Sequence, residues 1–256
     1  MLFEDIIFGP IKSRRLGNSL GLNLLPVHKK LCNFNCVYCE CGWNEDTKDI
    51  KDSIHSKEDI REALEAKLID VKEKNIPVDS ITFSGNGEPT IHPDFAEIVD
   101  FVVQLRDIYI KDAKISVLSN ATTLHKDDVF KALHKIDNPI LKLDAGRKEM
   151  FYAISKTTPN QISFETVKER LIAFGHDAIV QTLLIRGEND SIKLDNTSDE
   201  EFSAWLEIVK KINPRQVMLY AIDRVTPESQ LEKLTIEELE FFADKVRALG
   251  IETKTY

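Results

Sequence analysis

The sequence predicts an α/β protein whose core is an incomplete (β/α)6, TIM-like barrel. Along the 256 residues, short apolar runs alternate with amphipathic helical segments, and about six such strand–helix units follow one another. Runs of this short, apolar kind are typical of buried parallel sheets. Right-handed crossovers would roll the units into a barrel, although six are too few for the usual eightfold closure. A doubly wound open sheet is the alternative.

The six predicted strands share a short apolar core and are separated by helix-length segments. They are Ser19–Leu25, Ser80–Ser84, Lys114–Ser119, Pro139–Asp144, Ala178–Ile185 and Gln216–Ile222. The domain prediction is a single domain over residues 1–256, with an N-terminal extension at 1–18, a core at 19–224, and a C-terminal helix and tail at 225–256.

Capping signals mark the predicted helices. The first crossover helix is predicted over Ser56–Asn75, and Pro93 is predicted at the first position of the next helix, where proline loses no hydrogen bond. Gly175 and Gly250 are predicted to end later helices. Capping boxes are predicted at Ser56 with Asp59, Ser198 with Glu201, and Thr235 with Glu238.

Composition and charge limit the possible classes of protein. The hydrophobic fraction of 42% is ordinary for a globular protein, and the net charge of −9 gives no electrostatic footprint for nucleic acid. We find no apolar run of membrane-spanning length and no basic segment at the N-terminus that would indicate a signal peptide. Clustered thiols in such a chain point to a metal and a reducing compartment, so a cytoplasmic location without membrane contact is predicted.

Polar residues follow each predicted strand at its carboxyl end. In either α/β architecture these ends lie at the same edge of the sheet, where active sites collect. We therefore predict an active site there. Its residues come from the cysteine loop, Gly85–Thr90, Ser119 with Asn120, Asp144, Arg186–Asp190, and Asp223 with Arg224.

The segment Leu31–Trp43 holds all four cysteines: Cys32, Cys36, Cys39 and Cys41. Structural zinc usually uses two separated cysteine pairs, whereas this chain has one cluster, with His28 as a poorly spaced fourth ligand. Three close thiolates suit an iron–sulfur cubane better, because each cysteine then binds a different iron. Zinc, or a passive electron carrier with four cysteine ligands, is the alternative.

The pattern C-x-x-x-C-x-x-C, with Tyr38 before its last cysteine, resembles the signature of radical S-adenosylmethionine (SAM) enzymes. GNGEP, at residues 85–89, resembles the Gly-Gly-Glu-Pro motif of that family, which receives the methionine amino group. Together with Gly9–Pro26, these motifs are similar to a subgroup that contains wybutosine-forming tRNA synthases and short bacterial iron–sulfur oxidoreductases. The resemblance extends to about Arg224.

The resemblance implies a [4Fe–4S] cluster held by Cys32, Cys36 and Cys39, with SAM on the iron that lacks a protein ligand. It implies reductive cleavage of SAM to a 5′-deoxyadenosyl radical that abstracts hydrogen from a substrate the sequence does not identify. Cys41 is then a spare thiol. An electron donor of the flavodoxin or ferredoxin kind is implied as a partner.

The implied cofactor contacts are Tyr38, Gly85, Asn86, Gly87, Glu88, Ser119, Asn120, Asn189 and Tyr220. Candidate catalytic residues are Cys41, Asp144 and Arg224. For each of these residues the rival interpretation is structural: a turn glycine, a cap, a packed tyrosine or an ion pair.

The substrate is a small molecule, an RNA or a protein. Modification of tRNA of the wybutosine kind is weakened because no cysteine remains for a second cluster and the net charge is −9. Activation of a glycyl-radical enzyme is disfavoured by the segment Ser13–Gly17. A non-catalytic iron–sulfur or zinc protein is the remaining alternative.

Overall fold

A computed structural model describes residues 2–44 and 54–256, and these residues form two compact units. Each unit is discontinuous along the chain and is described here by itself. The first contains the described parts of Met1–Cys32, Asn44–Ser119 and Lys126–Pro139, and the second contains Asn33–Trp43, Asn120–His125 and Ile140–Tyr256.

The described elements alternate between strands and helices. The strands are β1 Ile7–Ser13, β2 Gly17–Leu22, β3 Ser80–Phe83, β4 Lys114–Ser119, β5 Asn138–Lys142, β6 Ile179–Leu183, β7 Ile185–Asn189, β8 Ile192–Asp195, β9 Gln216–Tyr220, β10 Leu231–Lys233 and β11 Glu252–Thr255. The helices are α1 Lys57–Glu73, α2 Phe95–Tyr109, α3 Asp127–Leu133, α4 Lys148–Ser155, α5 Phe164–Phe174, α6 Asp199–Ile212 and α7 Ile236–Arg247.

In the first unit, β2, β3 and β4 are parallel, and β1 pairs with β2 in the antiparallel direction. Leu20 of β2 is opposite Ile81 of β3, which is opposite Ile115 of β4, and all three side chains are fully buried. α1 and α2 contribute further buried apolar residues, and the carboxyl end of β3 leads into the segment Gly85–Thr90.

In the second unit, β6 lies between β5 and β9 in a parallel arrangement, and β9 also pairs in parallel with β11. A separate antiparallel sheet has the order β10-β7-β8. Buried aromatic residues fill the core of this unit, including Trp205, which stacks on Phe202 and donates from Nε1 to the Leu143 carbonyl at 2.8 Å.

All six predicted strands are present, with ends shifted by a few residues. The strand predicted over Ala178–Ile185 divides at Leu184 into β6 and β7, so Arg186–Asn189 lies in a hairpin strand and not in a loop. Four strands were missed: β1, β8, β10 and β11. β1 contains Gly9 and Pro10, which argue against a strand interior but are tolerated at a sheet edge.

Two of the three predicted capping boxes are at least partly formed. Thr235 and Glu238 make both reciprocal bonds, and Ser56 accepts from the Asp59 amide at 3.1 Å. The box at Ser198 is wrong. Glu201 is buried and turns instead to another segment, where Oε1 accepts from the amides of Gly146 at 2.6 Å and Arg147 at 3.0 Å.

The predicted position of Pro93 is also wrong, because α2 begins two residues later at Phe95 with Asp94 as its N-cap. The imidazole of His92 accepts the Asp94 amide at 3.1 Å, which fixes the chain before the helix starts. Gly175, with φ of +68°, ends α5 as predicted, whereas α4 was missed. None of the described helices is long and apolar enough to cross a membrane.

Candidate active site

In the first unit, the segment before Cys32 is bonded directly to the GNGEP segment. The Leu31 amide donates to the Asn86 carbonyl at 2.8 Å, and the Glu88 amide donates to the Leu31 carbonyl at 3.1 Å. A Cβ on Gly87 would lie 1.8 Å from the Leu31 carbonyl oxygen, and φ at Gly87 is +144°. Only glycine permits this approach. The structure therefore brings the first predicted thiol ligand and the predicted SAM motif together.

Gly85 and Asn86 contact other residues of the first unit. A Cβ on Gly85 would lie 2.4 Å from Asn23 Oδ1, which also accepts the Asn86 amide at 3.1 Å. The fully buried Asn86 side chain accepts from the Phe3 amide and donates to the carbonyls of Phe3 and Pro26, each at 2.8 Å. The Asn86 side chain thus anchors the N-terminal segment, and its predicted contact with a cofactor gains no support from these bonds.

Glu88 is a buried carboxylate, only 2% exposed, at the carboxyl side of β3. Its Oε1 accepts from the Thr90 amide at 3.2 Å, the Thr90 hydroxyl at 2.5 Å and the Ser119 hydroxyl at 2.8 Å. Because a buried charge is costly unless it is hydrogen bonded, these donors hold Glu88 in one orientation. Ser119 and Glu88, predicted separately, are in direct contact. A fixed carboxylate of this kind can bind an ammonium group.

In the second unit, the backbone of the cysteine loop is tied to two neighbouring segments. The Asn35 and Val37 amides donate to the carbonyls of Ser155 and Ile154 at 2.8 and 3.0 Å, and the Glu228 amide donates to the Val37 carbonyl at 3.2 Å. Within the loop, the Cys39 amide donates to the Cys36 carbonyl at 3.0 Å. The turn that carries these two thiols is therefore fixed by backbone bonds.

Four side chains form what we call the Lys142 cluster: Cys36, Tyr38, Lys142 and Asp144. The Lys142 ammonium donates to the Tyr38 hydroxyl at 2.6 Å and to Cys36 Sγ at 3.9 Å, and it lies 3.8 Å from Asp144 Oδ2. The Tyr38 hydroxyl in turn donates to Asp144 Oδ2, while the Leu183 amide donates to Asp144 Oδ1 at 2.9 Å. The cluster joins Tyr38 and Asp144, two of the predicted residues, to one predicted thiol ligand.

Burial and charge together perturb the pKa values in the Lys142 cluster. Burial raises the pKa of Asp144, against the opposing effect of the Lys142 charge. Burial and the nearby Asp144 charge raise the pKa of Tyr38 well above its usual value. Burial alone would lower the pKa of Lys142, but the charges of Cys36 and Asp144 outweigh it and hold that pKa well above the usual value. Lys142 is therefore an ammonium group at neutral pH.

Asn120 belongs to a hydrogen-bonded group with Asn33, the residue that follows Cys32. Asn120 Nδ2 donates to Asn33 Oδ1 at 2.7 Å, and Asn33 Nδ2 donates to the Thr122 hydroxyl at 2.5 Å. The Thr122 hydroxyl donates to Asn120 Oδ1 at 2.7 Å, which closes the group. The structure thus bonds Asn120 to Asn33 of the cysteine loop, and its predicted contact with a cofactor stays a prediction.

The remaining predicted residues of the second unit have the following partners. Gln181 Nε2 donates to the Tyr220 hydroxyl at 3.0 Å, and the buried Asn189 donates to the carboxylate of Glu228. Arg224 forms an exposed ion pair of 2.7 Å with Glu40, which lies between Cys39 and Cys41. Cys41 is half-buried, and the four cysteines, all of them among the described residues, form no disulfide.

Lys142 is a site residue that the sequence analysis missed, whereas Thr90 lies within the predicted segment Gly85–Thr90. A signal for Lys142 was available, since it is the one cation within the apolar run Pro139–Leu143. Its partners Cys36 and Tyr38 lie 106 and 104 residues away in sequence, so their contacts could not be anticipated.

The donor set fits an iron–sulfur cluster by its chemistry. Three thiols fall within the eight residues Cys32–Cys39, and a cubane takes each thiolate on a different iron. Over residues 2–44 and 54–256, no three His, Cys, Asp or Glu side chains converge as ligands of a single metal ion. The assignment of Cys32, Cys36 and Cys39 as cluster ligands stays a prediction.

The sequence model of the radical SAM superfamily matches residues 27–195, and the chain belongs to this superfamily, whose members are enzymes. Over 239 residues, the chain is 31% identical to a UPF0026 protein of Helicobacter pylori (strain J99), covering 91% of this chain and 71% of that protein. It is 33% identical over 239 residues to a Brachyspira hyodysenteriae protein named GTPase Obg. That match covers 91% of this chain but only 32% of that protein, so the chain spans about a third of its length.

Two solved structures show the fold. A radical SAM methyltransferase from Sphaerobacter thermophilus superposes with a TM-score of 0.65 at 13% identity, covering 93% of this chain and 65% of the other. The structure of TYW1 with a lysine–pyruvate adduct bound superposes with a TM-score of 0.60 at 17% identity, covering 90% and 73%. The predicted α/β, TIM-like fold of the radical SAM core is confirmed.

Proposed function

We propose that the chain is a radical SAM enzyme in which Cys32, Cys36 and Cys39 hold a [4Fe–4S] cluster. When bound, the cluster and SAM supply reductive cleavage to methionine and a 5′-deoxyadenosyl radical, which takes hydrogen from the substrate. The fold and family support this chemistry, and the spacing of the thiols supports the ligand assignment.

The bonded contact between Leu31 and the GNGEP segment carries the proposal. It fixes the residue next to Cys32 against the segment that contains Glu88, whose carboxylate Ser119 and Thr90 hold in place. In this arrangement Glu88 binds the ammonium group of SAM as a charge-assisted hydrogen-bond acceptor. Ser119 and Thr90 orient that acceptor.

In the second unit, Cys36 and Cys39 act as thiolate donors, and Tyr38, Asn120, Asn189 and Tyr220 contact SAM. Asp144, Arg224 and Cys41 face the substrate. The buried partners of Tyr38, Asn120 and Asn189 support fixed orientations for those three. The electron donor is a flavodoxin- or ferredoxin-like protein, and the location is cytoplasmic.

Anaerobically reconstituted and reduced protein tests the proposal. We expect it to form 5′-deoxyadenosine from SAM, with methionine in equal amount. If this product does not form while the reduced cluster is spectroscopically intact, the proposal is wrong.

A pair of cysteine variants tests the ligand set. Cys41→Ala should keep the cluster absorbance and SAM cleavage, whereas Cys36→Ala should lose both because one iron loses its thiolate. Loss of the cluster in both variants would mean four cysteine ligands. Retention of the cluster in both would remove Cys36 from the ligand set.

Modification of tRNA is the second candidate, supported by the similarity of Gly9–Pro26 and the cysteine loop to the wybutosine-forming subgroup. The position of all four cysteines within Leu31–Trp43 argues against a second cluster in this chain. If the substrate is tRNA, adding unfractionated tRNA should increase 5′-deoxyadenosine formation, and an equal amount of synthetic polyuridylate should not. An unchanged rate would leave a small molecule or a protein as substrate.

A further inference from the structure

We propose that Lys142 is a positioning residue that acts through Cys36 and raises the reduction potential of the cluster. The inference rests on the proposed function, because it takes Cys36 as a cluster ligand. It adds to that function the residue that tunes the electron transfer step.

The geometry holds the ammonium group beside the thiol. Lys142 Nζ lies 3.9 Å from Cys36 Sγ and donates to the Tyr38 hydroxyl at 2.6 Å. The same nitrogen lies 4.7 Å from the centroid of the Tyr38 ring, a cation–π distance. The Lys142 side chain is 19% exposed and Cys36 is 5% exposed, so water screens this contact poorly.

The positive charge of Lys142 should raise the reduction potential of the iron–sulfur cluster. Reduction adds one electron, so the reduced cluster is more negative than the oxidised cluster. An ammonium group that donates to a ligand sulfur stabilises the more negative state, and hydrogen bonds to cluster sulfurs are known determinants of the potential. The carboxylate of Asp144 has the opposite sign and offsets part of this effect.

A purely structural role explains Lys142 poorly. Its neighbours along β5 and beyond, Ile140, Leu141 and Leu143, are buried apolar residues. A methionine has a comparable length and would fill the same position without the desolvation cost of a buried ion pair. What lysine adds at this position is a positive charge that contacts a cysteine.

Three variants of the full chain, reconstituted anaerobically without SAM, test the inference by redox titration followed by electron paramagnetic resonance. For Lys142→Met we expect the ratio of reduced to oxidised cluster at a fixed potential to fall about tenfold, equivalent to about 59 mV for a one-electron couple. Lys142→Arg should restore the ratio to within about twofold, because the charge is kept. Lys148→Met is the matched control at an exposed lysine of the same unit and should leave the ratio unchanged.

Asp144→Asn provides a second measurement with the opposite sign. Removing this negative charge should increase the reduced fraction at the same potential. If Lys142→Met fails to retain iron and sulfide, the direction in which Asp144→Asn changes the reduction potential decides. An unchanged or lowered potential in Asp144→Asn then overturns the inference. An unchanged potential in a Lys142→Met protein with full iron and sulfide also overturns it.

Failure of the inference is distinguishable from failure of the proposed function. If the parent protein forms no reducible cluster or does not cleave SAM, the proposed function is wrong. If the parent cleaves SAM and Lys142→Met keeps the parental potential, only the role of Lys142 is wrong.

Discussion

The segment Gly85–Thr90 of the first unit and the Lys142 cluster of the second unit position their functional groups by different means. In the former, backbone bonds and close packing at glycine do the positioning, and the Glu88 carboxylate accepts from the hydroxyls of Thr90 and Ser119. In the latter, a half-buried cation and a buried anion lie 3.8 Å apart with a tyrosine hydroxyl between them. Substitutions that add volume should therefore destabilise the protein most at Gly85–Thr90, and substitutions that remove a charge should destabilise it most in the Lys142 cluster.

The largest change in the free energy of unfolding is expected from Gly87→Ala. The new Cβ would lie 1.8 Å from the Leu31 carbonyl at a φ of +144°, so the bonded contact with Leu31 must open. Strain and lost hydrogen bonds together should lower the free energy of unfolding by about 4 kcal/mol, measured by urea denaturation. Gly250→Ala is the control: φ is +80° there, but space is open, and about 1 kcal/mol is expected. Equal losses would show that packing at Gly87 is unimportant.

The next effect, in the second unit, is expected from Asp144→Asn. Removing the negative charge of the buried Asp144 leaves the half-buried Lys142 with one counter-charge fewer and should cost about 3 kcal/mol in the free energy of unfolding. Glu40→Gln breaks the exposed pair with Arg224 and should cost less than about 1 kcal/mol. Similar losses of unfolding free energy in the two variants would show that the charge pair of Lys142 and Asp144 does not stabilise the fold more than an exposed ion pair does.

A smaller effect is expected from Ser119→Ala in the first unit. The variant loses one of the bonds to Glu88 Oε1 and should be less stable by about 1 kcal/mol. Ser116 lies on β4 like Ser119, and Ser116→Ala removes a bond of 2.9 Å with Ser80 of β3 and one of 3.1 Å from Asn138, so it should cost at least as much. Equilibrium dialysis with SAM should separate the two, with weaker binding for Ser119→Ala alone. Equal affinities would remove Ser119 from the proposed binding role.

The smallest effect concerns His92, which follows the GNGEP segment. Burial lowers its pKa, and Nδ1 accepts the Asp94 amide, so the folded state keeps this ring neutral. Because the unfolded chain takes up a proton near pH 6.5, the free energy of unfolding should fall as the pH drops below that value. The loss by pH 5.5 should be up to about 1 kcal/mol and should diminish in His92→Asn. The exposed His134→Asn is the control, and an identical change there would exclude His92 as the cause.

What could be predicted from the sequence depended on how local the determining interactions are. The β3 and β4 strands are short buried runs, and the glycine–glutamate and cysteine motifs are contiguous, so each was visible within a few residues. The pattern of Thr235 and Glu238 was likewise complete within one helical turn. These predictions needed no knowledge of distant partners.

The predictions were wrong or incomplete where the structure of a segment depends on a partner that is distant in sequence. Ser198 with Glu201 has the spacing of a capping box, but the amides of Gly146 and Arg147 take the carboxylate, more than 50 residues away. β11 is short and contains alternating charged residues, and its pairing with β9 could not be read from Glu252–Thr255 alone. The contacts of Lys142 were missed for the same reason, because its partners Cys36 and Tyr38 lie more than 100 residues away in sequence.

The backbone bonds of Asn35, Val37 and Cys39 have a consequence for metal loading. Fixing the backbone of one residue costs roughly 1–2 kcal/mol of conformational entropy, and in this turn backbone hydrogen bonds to protein groups offset part of that cost. Cys36 and Cys39 are therefore carried on a turn whose backbone is held by hydrogen bonds to protein groups. We expect that a chain stripped of its cluster by oxygen can be reloaded without unfolding, at a rate set by the supply of iron and sulfide.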